Sequence, residues 1–189
     1  AAAYLRPRPA IIALGALFIF SFLAAPAFVL APADAVTGAD AALLEPSWAQ
    51  RAHMWREAAE RIFSSCWFAG CGADYTRAWA KEGVMITVPG WPIPVMEAPI
   101  HPHNVFLQVW LELGIVGLAA LTAALGFGLK RLAAIRPDRL AFAAIAGAAA
   151  ASYISFMFEA SLWQAWRLAI LSLAAFGGAL AYSSRGKIS

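Results

Sequence analysis

The sequence predicts an all-α, multi-pass membrane protein with about four transmembrane helices and one large outer loop. Three observations predict it. The chain is 62% hydrophobic and 13% charged, with eight Trp, too apolar for an ordinary soluble domain. Four runs, 10–32, 104–129, 140–158 and 161–182, approach the roughly 20 residues that about 30 Å of hydrocarbon demands. Charge then sets the orientation. Arg6 and Arg8, the group Lys130, Arg131, Arg136 and Arg139, and the pair Arg185 and Lys187 are eight of the fourteen basic residues, accompanied by one acid, Asp138. The positive-inside rule makes these three short segments cytoplasmic.

Residues 1–32 are then a cytoplasmic tail and the first transmembrane helix. Its apolar run is too long for a secretory signal, and the opening AAAYLRPRP, without Met, points to a piece of a longer polypeptide. Residues 33–103 form the large loop, where five basic residues do not oppose the topology, because loops above about 60 residues cross largely regardless of charge. Within it, 33–45 is a small, polar linker, and PSWAQRAHMWREAAERIF predicts a helix near 47–64. Ser47 with Gln50 makes a capping-box signature. At 100° per residue Arg51, Trp55, Ala58 and Ile62 share one face; His53, Arg56, Glu57 and Glu60 share the other, which reads as solvated. Arg51 on a packed face has two readings: a stem that snorkels or pairs with an acid, or a guanidinium that holds phosphate oxygens.

Gly70 and Gly72 mark a turn, and the proline-rich VPGWPIPVMEAPIHP excludes a regular helix or central strand. Cys66 and Cys71 leave a short-loop disulfide and two free buried thiols equally open. Two thiols without a His at ligand spacing exclude a metal site there, and His101-x-His103 lacks a third ligand.

The helix over 104–129 carries the most informative residues. Pro102 stops what precedes it and Asn104 is a favoured N-cap. Asn104, Gln108 and Glu112, four apart, form a polar stripe, and an ionisable group at that depth must face protein or a water-filled cavity. Glu112 is therefore either a brace, paired with an Arg elsewhere, or part of the chemistry. Gly114 and Gly117 allow close packing. The helix N-terminus attracts an anion and disfavours imidazolium at His103, which is thus either a neutral base or a simple capping residue. Residues 130–139 form a cytoplasmic loop and 140–158 the third helix. An outer turn over 159–167 leads into the fourth helix, 161–182, and 183–189 is a cytoplasmic tail. Trp163 and Trp166 suit the outer aromatic belt and Tyr182 the inner one.

The pattern of Ser47, Arg51 and Trp55, then Gly70-x-Gly72, then His103, Asn104, Leu107, Gln108, Glu112, Gly114 and Gly117 resembles the C-terminal part of the bacterial O-antigen ligase and polymerase family. Cys66 departs from the proline common before the glycine turn, which affects the turn and not the chemistry. The resemblance implies a fragment of a GT-C-like glycosyltransferase in the bacterial inner membrane, with the loop in the periplasm. It implies transfer of a glycan from undecaprenyl diphosphate to a lipid A–core hydroxyl, or, in a polymerase, to another lipid-linked repeat. It implies inversion and no metal or nucleotide cofactor, and no nucleic-acid partner. His103 would be the base, Arg51 the diphosphate ligand with Arg56, Arg61 and Arg77 behind it, and Asn104, Gln108 and Glu112 the supporting residues. A diphosphate leaves without protonation, so no pair of catalytic carboxylates is required. The HPHN and LQVWLELG segments favour ligase over polymerase and over a protein-glycosylating relative. A glycan or lipid transporter would carry polar sites near the midplane, and a non-catalytic scaffold would leave Arg51 and His103 replaceable.

Overall fold

A computed structural model describes residues 7–30, 45–88, 91–98, 100–135 and 139–158, together with 164, 169–170 and 172–173. All of the expected 33–45 linker but Glu45, most of the fourth helix and of the turn before it, and Arg6, Arg136, Asp138, Trp163, Trp166, Tyr182, Arg185 and Lys187 lie outside the described residues. The elements are α1 (Pro7–Leu30), α2 (Pro46–Arg61), one π-helical turn (Ile62–Cys66), α3 (Tyr75–Ala80), β1 (Met85–Ile86), β2 (Val95–Met96), α4 (Val105–Ile135) and α5 (Arg139–Phe158). The fold is mostly helical. Two stretches, Pro9–Leu30 and Val105–Leu132, are long and apolar enough to cross a membrane, and Ala143–Phe158 is a shorter apolar one.

Local chemistry explains where the elements begin. Pro46 occupies the first turn of α2, where no backbone donor is needed, so the cap falls on Glu45, whose carboxylate accepts from the Ser47 N–H at 3.2 Å. The capping box expected at Ser47 is therefore not the device used. Gln50 instead donates to the Met96 carbonyl at 2.8 Å and ties α2 to β2. β1 and β2 form a two-residue antiparallel hairpin, Met85 opposite Met96 and Ile86 opposite Val95, the short edge pairing that the surrounding prolines permit. In α1, Pro26 has no N–H to give the Phe22 carbonyl one turn earlier. The Trp110 indole N–H supplies the missing donor, and so binds α1 to α4.

The core has two faces that meet at α4. Leu107 and Leu111 pack with Met54, Ala58, Ile62, Cys66 and Trp79, while Val105, Phe106 and Val109 pack with Phe22 of α1. Leu118 lies in the second cluster, bordered by residues of α1 and α5.

Helix α4 is not continuous. Gly114 has φ 58° and ψ −161°, which opens the helical ladder at that point. The loop that follows the π-turn fills the opening. Cys71 and Gly72 donate to the Leu111 and Glu112 carbonyls at 2.8 and 3.1 Å, and Ile115 and Val116 donate to the Trp67 and Phe68 carbonyls at 2.8 and 3.2 Å. Four backbone groups that the break would orphan are thereby paired, each of which would otherwise cost about 1–3 kcal/mol if buried. The approach demands glycine on both sides. A Cβ on Gly70 would stand 2.2 Å from the Glu112 carbonyl, and one on Gly114 2.4 Å from the Phe68 oxygen. A disulfide between Cys66 and Cys71 closes the inserted loop. Close packing at Gly114 is thus an interlock of backbones, and the helix expected over 104–129 runs instead over Val105–Ile135 with this break inside it.

Candidate functional site

Three segments bring polar groups together at the N-terminal end of α4. The first is α2, which presents Arg51 and Trp55 one turn apart. The Trp55 indole N–H donates to the Pro102 carbonyl at 2.6 Å, which fixes the short segment between the two histidines. His103 is held with φ 52°, a left-handed conformation costly for a non-glycine residue and tolerated where surroundings over-determine it. The His101 and His103 rings lie 4.2 Å apart at 63°. Asn104 then caps the helix, its Oδ1 accepting from the Leu107 N–H at 3.1 Å.

Burial, the neighbouring His101 and the Arg51 charge, in that order, lower the His103 pKa from its ordinary value to about 4. The imidazole is therefore neutral at physiological pH and able to accept a proton. Its Nδ1 is buried and has no hydrogen-bond partner among the described residues. Two polar features hold Arg51. Its Nη1 donates to the Phe158 carbonyl at the end of α5, 3.1 Å away, and its guanidinium stacks on Trp48 with its carbon 5.0 Å from the ring centroid. A guanidinium carries five N–H donors in a planar fork, and this is its one hydrogen bond among the described residues.

The other predicted residues are distributed differently. Arg61 makes a two-point pair with Glu82, at 2.8 and 3.1 Å, adds a bond to the Tyr75 hydroxyl at 3.0 Å, and lies over Trp79. Arg77 pairs with Asp74 at 2.6 Å, and Arg56 with Glu60 at 3.0 Å along α2. Of the arginines, Arg51 alone among the described residues is near enough for its charge to act on His103. Gln108 and Glu112 are fully buried and joined, the Gln108 amide donating to the Glu112 carboxylate at 2.9 Å. They follow the Asn104 cap at four-residue spacing along α4. The α2 face that carries His53 and Glu57, expected to be solvated, is half-covered: His53 Nε2 is 3.4 Å from the carboxylate of buried Glu97.

Beside Asn104 and Trp55 opens a cavity of about 510 Å³ between α1, α2, α4 and α5, lined by Leu17, Phe28 and Met157 among others, with Arg56 at its edge. Sequence reading missed this cavity, the Phe158 carbonyl that holds Arg51, and the Trp55 contact, because each joins segments far apart in the chain. The WxxRxxxW spacing of Trp48, Arg51 and Trp55 was the available signal for an aromatic seat.

The sequence profile described as O-Antigen ligase matches residues 1–122, a span that includes α1, Arg51 and His103. The chain belongs to the O-antigen ligase family. A Rickettsia bellii protein named as a proposed polysaccharide ligase is similar, 32% identical over 128 residues, 66% of this chain and 30% of its own length. Proteins of the same description from Rickettsia conorii and Rickettsia prowazekii are each 30% identical, over 126 and 129 residues. The chain thus spans about three tenths of the length of these relatives. No solved structure matches. Family membership and two apolar helices of spanning length together make this a membrane protein.

Proposed function

We propose that the chain is part of a membrane glycosyltransferase that moves a glycan from undecaprenyl diphosphate to a lipid A–core hydroxyl at the periplasmic face of the inner membrane. One observation carries the reading: the Arg51 charge acts on a neutral His103, and the residues that follow them in the chain, Ala52 and Asn104, line an apolar cavity. A lipid-linked diphosphate sugar needs those three things, a cation for the phosphates, an apolar space for the tail and a base for the acceptor.

The acceptor oxygen attacks the anomeric carbon of the donor sugar, and His103 takes the hydroxyl proton. The bond from that carbon to the phosphate oxygen breaks on the opposite side, so configuration inverts. The departing diphosphate keeps the electron pair, and the Arg51 fork stabilises its charge. Donor binding also raises the basicity of His103, because the phosphate charge offsets the Arg51 charge that now opposes imidazolium. Arg56, which lines the cavity besides pairing with Glu60, is a second phosphate contact; Arg61 and Arg77, also paired with carboxylates and not among the lining residues, contribute least. The reaction as written uses no metal. In this reading residues 33–103 form the periplasmic loop, the basic segments are cytoplasmic, and the remaining helices lie beyond this chain.

The test is His103→Ala in the full-length protein in its own host, with lipopolysaccharide and undecaprenyl-linked glycans run side by side. The expected result is a fall in glycan-capped lipopolysaccharide of about 10²–10⁴-fold, the usual contribution of a positioned base, with long lipid-linked chains retained. Chains reduced to a single repeat would assign a polymerase with the same donor chemistry. An unchanged pattern, with the variant present in the membrane, would remove His103 as the base and favour a transporter or scaffold.

A further inference from the structure

The face of α2 turned about 200° from Arg51 (two residues at 100° each) carries His53 and Glu57 one helical turn apart. Glu97, which follows β2, reaches the same place from the other direction. One ligand atom from each of the three lies within 4.8 Å of the others. We propose that His53, Glu57 and Glu97 bind a divalent d-block cation of the zinc class, which clips the segment leading to His103 onto α2.

The chemistry of the donor set selects the ion. An imidazole with two carboxylates suits zinc and its neighbours, whereas magnesium and calcium sites are built from oxygen alone. Three protein ligands leave a fourth position for water. Glu97 is 8% exposed, and its second oxygen accepts from the Trp79 indole at 3.2 Å, the kind of outer contact that orients a ligating carboxylate. The half-exposed side chains of His53 and Glu57 have the rotamer freedom to close on an ion, while Glu97 is the fixed member.

The consequence is positional. Gln50 already holds the Met96 carbonyl, and a metal bond to Glu97 would fasten the next residue of the same segment, six positions ahead of His103. The cation takes no part in the transfer step, and the proposal stands independently of the glycosyltransferase reading.

Full-length protein purified without a histidine tag, stripped by chelator and titrated with Zn²⁺ by calorimetry tests it, with Mg²⁺ in parallel. One Zn²⁺ per chain is expected, with no comparable heat from Mg²⁺. Affinity should fall at least tenfold in His53→Ala and Glu97→Gln and stay unchanged in Glu60→Gln. Glu57→Gln, at a half-covered surface, decides the matter if Glu97→Gln is recovered unfolded. Zinc should also raise the Tm of the parent but not of the His53 variant. No zinc binding by the parent, or equal affinity in the parent and all variants, would overturn the site.

Discussion

Leu107, Val109 and Leu111, ahead of Gly114 in α4, are buried, whereas Val116 and Phe127, beyond it, are 54% and 60% exposed. The first stretch, Val105–Leu113, also carries Gln108 and Glu112. The second is largely apolar until Lys130, and its 15 residues from Ile115 to Leu129 measure about 22 Å at 1.5 Å per residue. One helix therefore has a covered half and a largely exposed half, and Gly114 is the boundary. The cost of an acid in lipid does not arise for Glu112, because protein surrounds it on every side. Polarity here follows the covering elements α1 and α2, not depth counted from the helix start.

The largest effect that could break this comparison is at the boundary itself. Gly114→Val places a side chain at positive φ against the Phe68 carbonyl, a backbone group that cannot yield. We expect a loss above about 4 kcal/mol, seen as little folded protein in the membrane. Gly126→Val, where nothing lies within 4 Å of the added carbon, should be recovered normally. Equal recovery of the two would dissolve the boundary. Next, Glu112→Ala takes the acceptor from the buried Gln108 amide, at a cost of about 1–3 kcal/mol. Val116→Ala on the exposed side should stay within about 0.5 kcal/mol, and thermal unfolding in detergent compares them.

A smaller effect is expected where the two regions meet the site. Trp55→Phe keeps the packing and loses the bond to the Pro102 carbonyl. About one neutral hydrogen bond is at stake, near 1 kcal/mol, so transfer should slow roughly tenfold or less while the folded yield is retained. The least effect on stability at neutral pH concerns His103. Its pKa is about 4 in the fold and about 6.5 when unfolded. The unfolded chain binds more protons between those values, so stability is full above about pH 6.5 and falls as pH drops toward 4. His103→Asn should flatten that slope in a Tm series against pH.

How much of this was legible in the sequence follows from the distances involved. Hydrophobic runs located α1, α4 and α5, because periodicity and length are local properties. The histidine, the arginine and the Asn104 cap were legible for the same reason: residue type and spacing carry them. The break at Gly114 was not, since a glycine within an apolar run is ambiguous until its partner at Gly70, 44 positions earlier, is known to press on it. Glu45 displaced Ser47 as the cap because Pro46 takes the first helical position. Glu97 was read only as part of a proline-rich return, yet the fold sets it against His53. Arg51 was legible as unusual but not as a residue seated on Trp48 and the end of α5.

The interlock at Gly114 has a consequence for biosynthesis. An insertion machinery that reads hydropathy meets Val105–Leu132 as a single apolar stretch of 28 residues. The loop that divides it, residues 66–72, has already left the ribosome by then. The groups that pair with Leu111, Glu112, Ile115 and Val116 are thus made before the stretch they divide.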